Sequence, residues 1–173
     1  DPKILLPGNS ACLRLPGIDG KAKMSISLGN CIYLSDEPEE IQRKIMSMFT
    51  DPNHIRVEDP GNVVGNPVFI YLDAFCTDEH FKEFLPDYAN LDELKDHYKR
   101  GGLGDMKVKR FLNNVMQETL APIHERRKEW EARIPDVYDI LKSGSAVAEA
   151  KAAQTLSDVR AAMKIDYFEN MDL

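Results

Sequence analysis

The chain has 173 residues, of which 43% are hydrophobic and 29% are charged, and its formal net charge is −7. This composition is that of an ordinary globular protein, and it excludes a disordered or low-complexity chain. No stretch approaches the ~20 consecutive apolar residues of a membrane span, so no membrane partner is expected. The acidic balance also argues against non-specific binding of nucleic acid, which depends on basic surface.

The cysteines and the start of the chain indicate the compartment. Cys12, Cys31 and Cys76 lie far apart and form no CxxC pair. An odd count leaves one thiol unpaired, which favours a reducing cytoplasm and three small buried side chains. The first residues lack both an initiator Met and the apolar core of a signal peptide. We interpret them as the beginning of a piece of a longer protein.

Short extended segments and loops are predicted for the first thirty residues, which are rich in Gly and Pro. Residues 4–6 and 31–34 are the only strand-like runs. A first helix follows, with Ser35 or Asp36 as its cap, Pro38 in its first turn and residues 50–53 at its end. Its apolar stripe is Ile41, Ile45, Met48 and Phe49.

Helices and one long loop are predicted for the rest of the chain. The loop covers residues 54–66, and helices follow over residues 67–75, from Thr77 to Pro86, and from the Asn90–Glu93 capping box to Gly101. The longest helix starts near Asp105 and resumes through Trp130 after a kink at Pro122. Two more helices, over residues 136–142 and 145–163, are predicted on either side of Gly144. The sequence thus indicates five to seven helices.

One segment is basic inside this acidic protein. Residues 106–133 hold seven Lys and Arg side chains against four Glu, which indicates a localised anionic partner. Lys107 and Arg110 share one helix face, and Arg126 and Arg127 follow Pro122. The alternative is a solvated face held by ion pairs. Trp130 is expected in the core, and the histidines have no spacing that suggests a metal site.

Residues 15–30, the signature loop, carry the richest chemistry. Two lysines, Lys21 and Lys23, are followed by the hydroxyls of Ser25 and Ser27, and no acidic residue lies between Gly20 and Asn30. Cations and donors on a mobile loop suit the charge that develops on transferring phosphates. The alternative is a solvated surface loop of the same composition.

The run Lys23-Met24-Ser25-Ile26-Ser27 resembles the KMSKS signature of class I aminoacyl-tRNA synthetases. Its surroundings resemble the tryptophanyl enzymes, and the similarity covers nearly the whole chain. The blocks that carry it are residues 14–17, 19–25, 27–30, 46–61, 65–69 and 120–126.

The resemblance implies an enzyme that activates tryptophan with ATP, with Mg²⁺ entering through the whole protein, and then charges tRNA(Trp). It places Lys23 and Ser25 in the catalytic set. It implies that the ATP site includes Leu15, Lys21, Lys23, Met24, Ser25, Ile26 and Ser27. It also implies that Lys107, Arg110, Arg126 and Arg127 contact tRNA, and that the whole protein is a cytoplasmic homodimer.

Ile26 departs from this signature. The second loop lysine of the family falls at this position, and an apolar side chain cannot meet phosphate charge. The sequence therefore predicts a catalytically impaired loop, unless Lys21 substitutes for the missing lysine.

The fold implied is mainly α. Residues 1–35 would be the end of a Rossmann-type catalytic domain, left as a short loop and strand remnant, and residues 36–173 a helical anticodon-binding domain. Because the upstream motifs of the family are missing, the chain alone is expected to be inactive. Two alternatives remain: a non-enzymatic helical RNA-binding module and an unrelated interaction protein.

Overall fold

The computed structural model describes residues 3–21 and 23–167, and its regular structure is almost entirely helical. The α-helices of this described part are α1 (Pro38–Met46), α2 (Pro67–Phe75), α3 (Asp78–Phe84), α4 (Leu91–Arg100), α5 (Asp105–Glu131) and α6 (Ile134–Met163). Two 3₁₀ turns, Ser10–Leu13 and Ile26–Leu28, precede them. The predicted mainly α class is confirmed. Among the described residues, no helix has both the length and the apolar character needed to cross a membrane.

The two predicted strands, residues 4–6 and 31–34, are not formed. The only β pairing in the described part of the chain is an isolated antiparallel bridge between Pro16 and Lys23. A strand needs a neighbour that completes its backbone hydrogen bonds, and neither segment finds one here. Leu5 is accordingly 96% exposed. The strand prediction was therefore wrong for this chain.

The ends of the middle helices follow the capping residues. The Asn66 side chain accepts from the Val68 amide at 3.1 Å, and α2 has the bounds that the sequence predicts. The Asn90 side chain accepts from the Glu93 amide at 3.0 Å. The Glu93 carboxylate accepts in turn from the amide of Ala89, one residue earlier than in a regular capping box. These contacts satisfy amides that the helices leave free.

Helix α1 is shorter than predicted, and α6 is longer. α1 ends at Met46, so Met48 and Phe49 lie beyond it, although Met48 remains buried. α6 runs through Gly144, where the sequence predicts a break between two helices. A single helical Gly costs about 1 kcal/mol relative to Ala, which weakens a helix without ending it.

The core belongs to the first of two compact units, Asp1–His124. Buried side chains of five helices meet there, including Ile41 of α1, Phe69 of α2, Phe81 of α3, Tyr98 of α4 and Phe111 of α5. Leu15, Met24 and Ile32 of the N-terminal segment pack against the same core while remaining partly exposed. Apolar contacts of these three side chains thus attach the N-terminal segment to the helices.

The second unit, Glu125–Leu173, contains the end of α5 and all of α6. None of its described residues, 125–167, is buried. Trp130, expected in the core, is 40% exposed, with the Arg133 guanidinium 4.9 Å from its ring centroid. A helix without buried residues has no tertiary packing to hold it, and such packing is the main source of helix stability in proteins.

All three cysteines are free thiols. Cys31 is buried, whereas Cys12 and Cys76 are half-buried, so only one of them is the fully buried side chain that was expected. Burial, aided by Asp78 and Asp73, raises the pKa of the Cys76 thiol to about 12. This thiol is therefore protonated and unreactive near neutral pH.

Candidate functional site

The signature loop is closed at its base by backbone contacts. The Met24 amide donates to the Leu15 carbonyl at 3.3 Å, next to the bridge between Pro16 and Lys23. At the tip, the chain turns at Gly20, whose φ of +67° is a left-handed conformation that favours glycine. The two limbs therefore run side by side, and Lys21 and Lys23 lie near the turn.

A single buried amide side chain holds the limbs together. Asn30 is 4% exposed, and its Oδ1 accepts from the Ser25 amide at 2.8 Å. Its Nδ2 donates to the Asp19 carboxylate at 3.2 Å and to the Lys23 carbonyl at 3.4 Å. Gly17 leaves the room for this amide, because a Cβ there would lie 2.0 Å from Asn30 Nδ2. Asn30 thus fixes the loop from inside.

Two hydrogen bonds attach the loop to the rest of the first unit, and Met24 of the loop lines an apolar cavity beside the helices. Tyr71 of α2 donates its hydroxyl to the Pro16 carbonyl at 2.9 Å, and the Phe49 amide donates to the Ile18 carbonyl at 2.9 Å. Burial raises the pKa of Tyr71, which keeps this donor protonated. Met24 faces an apolar cavity of about 310 Å³ shared with α2 and α5.

Three cationic side chains line one cleft beside the loop. Arg14, Lys21 and Lys23 surround a space of about 290 Å³, whose floor includes Leu15 and Ile70. Both lysines are exposed, and the residues that line this cleft include no carboxylate. Three exposed cations that converge on one space can meet an anionic ligand together, so the cleft is suited to a phosphate group.

The remaining predicted loop residues are not among those that line this cleft. The hydroxyl oxygens of Ser25 and Ser27 lie 3.0 Å apart and share a hydrogen bond. Ile26 is 79% exposed at the start of the 3₁₀ turn. The structure thus brings Leu15, Lys21 and Lys23 together, turns Met24 toward the apolar cavity and leaves Ile26 in solvent.

The four predicted tRNA contacts fall in two different units. Lys107 and Arg110 are exposed on α5 in the first unit, and Arg126 and Arg127 are exposed in the second. The Lys107 ammonium lies 2.9 Å from Asp87, and this hydrogen bond raises the pKa of Lys107. Arg127 pairs with Glu131 at 2.7 Å. Both ion pairs are solvent-exposed and therefore weak, so they leave the cations available to a ligand.

Two residues of the site, Arg14 and Asn30, lie in blocks that carry the resemblance but received no site role of their own from the sequence. Arg14 completes the cationic cleft, but it precedes the Lys- and Ser-rich run that drew attention to the loop. Asn30 is the buried support of the loop, and only its position directly after Gly29 could have suggested a polar residue under a tight turn. Within residues 3–21 and 23–167, no three His, Cys, Asp or Glu side chains lie close enough to hold a metal ion.

Comparisons with known proteins agree with this fold. The family described as tRNA synthetases class I (W and Y) matches residues 2–121, which is more than half of the chain. The chain therefore belongs to the class I tRNA synthetases. A tryptophan–tRNA ligase of Clostridium longisporum is 54% identical over 171 residues, covering 99% of this chain and 47% of the relative. One from Streptococcus pyogenes serotype M3 is 50% identical over 168 residues, covering 97% and 47%.

The chain thus spans about half the length of the curated relatives it matches. Among solved structures, tryptophanyl-tRNA synthetase from Campylobacter jejuni, complexed with ADP and tryptophan, matches with a TM-score of 0.67 at 23% identity. That match covers 87% of this chain and 43% of the other, and it concerns the fold alone. The enzyme from Giardia lamblia matches with a TM-score of 0.55 at 30% identity, over 66% and 28%.

Proposed function

We propose that the chain is the C-terminal part of a tryptophan–tRNA ligase. The whole protein would join tryptophan to ATP, release pyrophosphate and transfer the tryptophanyl group to tRNA(Trp). In this proposal residues 1–35 end the catalytic domain and residues 36–173 form the anticodon-binding domain of a cytoplasmic homodimer. The tryptophan–tRNA ligases that are 54% and 50% identical to it support this proposal. An unrelated interaction module would not account for such similarity along 99% of the chain.

One observation carries the assignment of ATP to the signature loop. Arg14, Lys21 and Lys23 converge on one cleft without carboxylates in its lining. In the proposed reaction negative charge grows on the leaving pyrophosphate, and fixed cations stabilise that charge in the transition state. Lys23, with Ser25 beside it, takes the catalytic role, and Lys21 contacts the phosphates. The ADP complex of the Campylobacter jejuni protein is consistent with a nucleotide ligand for this fold.

The residues of the cleft do not provide ligands for Mg²⁺, whereas the phosphates of ATP do. The cleft is lined by cations and apolar groups, and hard divalent ions require carboxylate or carbonyl oxygens. We therefore assign Mg²⁺ to the MgATP complex, bound through its phosphates. The loop cations then share the neutralisation of the triphosphate with that ion.

Tryptophan-dependent pyrophosphate exchange by the whole protein tests the role of Lys23. We expect Lys23→Met to lower kcat by about 10- to 1000-fold, because it removes a cation that acts on developing charge. Lys82→Met, which removes an exposed lysine of α3 outside the cleft, is the control and should leave the rate unchanged. Equal rates for wild type and Lys23→Met would refute the proposed ATP site.

The chain alone is proposed to be inactive in the same assay, because it covers about half of its relatives. Exchange catalysed by the purified 173-residue chain would contradict this.

For the helical part, we propose that Lys107, Arg110, Arg126 and Arg127 contact the phosphates of tRNA(Trp). Replacing these four side chains with Met should reduce the salt slope of tRNA(Trp) binding to the whole protein, and an unchanged slope would contradict the assignment.

A further inference from the structure

One buried amide side chain lies at the centre of the signature loop. Of the described loop residues, 15–21 and 23–30, only Gly17 and Asn30 are buried. The two lie against each other, since a Cβ at Gly17 would be 2.0 Å from Asn30 Nδ2. Lys21 and Lys23 are exposed. Hydrogen bonds of the loop backbone, and not burial of the lysine side chains, therefore set where these two residues lie.

The polar atoms of Asn30 have partners in both limbs of the loop. Nδ2 carries two N–H groups, and it donates to the Asp19 carboxylate at 3.2 Å and to the Lys23 carbonyl at 3.4 Å. Oδ1 accepts from the Ser25 amide at 2.8 Å. The backbone carbonyl of Asn30 accepts from the Ile18 amide at 3.0 Å. Only an amide offers two donors and an acceptor at this length, because a carboxylate of the same size has no donor when it is ionised.

These contacts reach the backbones of both lysines that line the cationic cleft. Lys23 is held directly, through its carbonyl. Lys21 is held through Asp19, because Oδ1 of that carboxylate accepts from the Lys21 amide at 3.3 Å and from Asn30 Nδ2 at 3.2 Å. One side chain therefore sets the spacing of two cationic residues that line the same cleft.

We propose that Asn30 is a positioning residue of the adenylation reaction, and this inference rests on the proposed function. Asn30 does not line the cleft. It acts through the backbones of Lys21 and Lys23, which it holds so that both cations meet the charge that grows on the leaving pyrophosphate. Cations that are fixed in advance stabilise this charge best, and a misplacement of about 1 Å can cost about 100-fold in rate. Because the charge develops only in the transition state, the effect falls on kcat more than on KM.

Tryptophan-dependent pyrophosphate exchange by the whole protein, with the ATP concentration varied, tests this role. Asn30→Asp keeps the size of the side chain and the acceptor for Ser25, but it replaces Nδ2 with an oxygen that faces the Asp19 carboxylate. We expect kcat to fall by about 10- to 100-fold and KM for ATP to change by less than about threefold. An unchanged kcat, or a loss confined to KM, overturns the inference.

A double-mutant cycle with Lys23→Met separates positioning from a general defect of the fold. If Asn30 acts through Lys23, the loss of kcat caused by Asn30→Asp should be at least about threefold smaller when residue 23 is already Met. A merely structural defect lowers kcat by the same factor in both backgrounds. Equal factors therefore overturn the inference. Circular dichroism of each variant gives the folded fraction to which its rate is referred.

Gly17→Ala disturbs the same amide without changing its chemistry. The added Cβ would lie 2.0 Å from Asn30 Nδ2, so the amide must move away from its partners. We expect kcat to fall by about tenfold or more, with the same dependence on Lys23. This variant decides the question if Asn30→Asp does not fold, and a wild-type kcat for Gly17→Ala then overturns the inference.

Asn66→Asp is the matched control outside the loop. Asn66 is also a buried amide, 3% exposed, and its Oδ1 accepts from the Val68 amide at 3.1 Å. An aspartate makes this capping contact equally well, so the exchange of atoms is the same and the loop is not involved. The control should keep the wild-type kcat. A loss as large as that of Asn30→Asp would show a general effect of a buried carboxylate and overturn the inference.

The outcomes separate this inference from the proposed function. If Lys23→Met loses activity while Asn30→Asp and Gly17→Ala keep the wild-type kcat, the inference fails and the proposed function stands. If the wild-type whole protein catalyses no tryptophan-dependent exchange, the proposed function fails, and the inference fails with it.

Discussion

Ile26 occupies the position at which the KMSKS signature has its second lysine, and the structure shows the surroundings of this apolar residue. The side chain is 79% exposed and starts a 3₁₀ turn, so no packing requires an apolar residue there. Lys21 lies in the same cleft as Lys23 and Arg14. The cleft therefore keeps three cations without a lysine at position 26. Lys21 therefore lies where it could take the place of the lysine that is missing at position 26.

Ile26→Lys in the whole protein is expected to fold normally and to raise pyrophosphate exchange by about tenfold, because it adds a cation beside the developing phosphate charge. The gain should be larger when Lys21 is replaced by Met. A double-mutant cycle of the two positions measures this coupling from the exchange rates. Additive effects would show that Lys21 does not substitute for the missing lysine.

Leu28→Lys is the control for this cycle. Leu28 is 61% exposed in the same 3₁₀ turn, so the variant adds the same charge two residues away. It should leave the exchange rate close to that of wild type. A gain equal to that of Ile26→Lys would point to general electrostatic attraction of ATP instead of a positioned contact.

At the scale of an element, α1 and α5 are joined through one buried lysine. Lys109 of α5 donates through Nζ to the Met46 carbonyl at 3.1 Å and to the Met48 carbonyl at 2.6 Å. These carbonyls lie at the end of α1, where a helix leaves acceptors without partners and favours a cation. Lys109, although charged, is therefore part of the fold and not of the exposed basic face.

Lys109→Met is expected to lower the free energy of unfolding by about 1–3 kcal/mol, because it leaves two carbonyls without a donor. Urea denaturation of the chain measures the change. Lys107→Met removes a lysine two positions away whose ion pair is exposed, and it should cost less than about 1 kcal/mol. Equal losses for the two variants would contradict the structural role of Lys109.

The difference in stability between wild type and Lys109→Met depends on pH in a defined direction. Burial lowers the pKa of Lys109, and Asp105 offsets only part of that shift. Between this lowered pKa and the ordinary value near 10.5 the unfolded chain binds more protons, so stability gained from this lysine rises with pH. The stability difference between wild type and Lys109→Met should grow as the pH approaches 10.5.

The elements also show which features a sequence determines locally. Asn66 and the Pro67 that follows it fix the start of α2, because a side-chain acceptor and a preset φ act within two residues. The segments at residues 4–6 and 31–34 have strand composition, but a strand depends on a distant neighbour that composition does not reveal. The role of Asn30 was not predicted for the same reason: its partners Asp19 and Ser25 are brought to it by the fold of the loop, which composition does not reveal.

At the scale of the whole molecule, the two units differ in how they are stabilised. The first holds all the buried residues of the described chain, whereas residues 125–167 have none. Local opening is easiest where few apolar contacts are buried. The second unit is therefore expected to open far more often than the first.

Amide hydrogen exchange of the 173-residue chain tests this difference. Amides of α6 should exchange at least about 100-fold faster than those of residues 108–120 in α5, which bury several side chains. Gly144→Ala should slow exchange in α6 alone, because Ala favours a helix by about 1 kcal/mol. Protection of α6 equal to that of residues 108–120 would contradict the expectation.

The contact between Gly17 and Asn30 also constrains how this sequence can vary. Any side chain at position 17, even the methyl group of alanine, would meet the Asn30 amide at 2.0 Å. A smaller residue at position 30 would remove the closest of these contacts, but Asp19 Oδ1 would still lie 2.8 Å from the added Cβ. It would also leave the Ser25 amide and the Asp19 carboxylate without that partner. A substitution at position 17 or position 30 alone would therefore disrupt this contact, so the two positions are expected to change together.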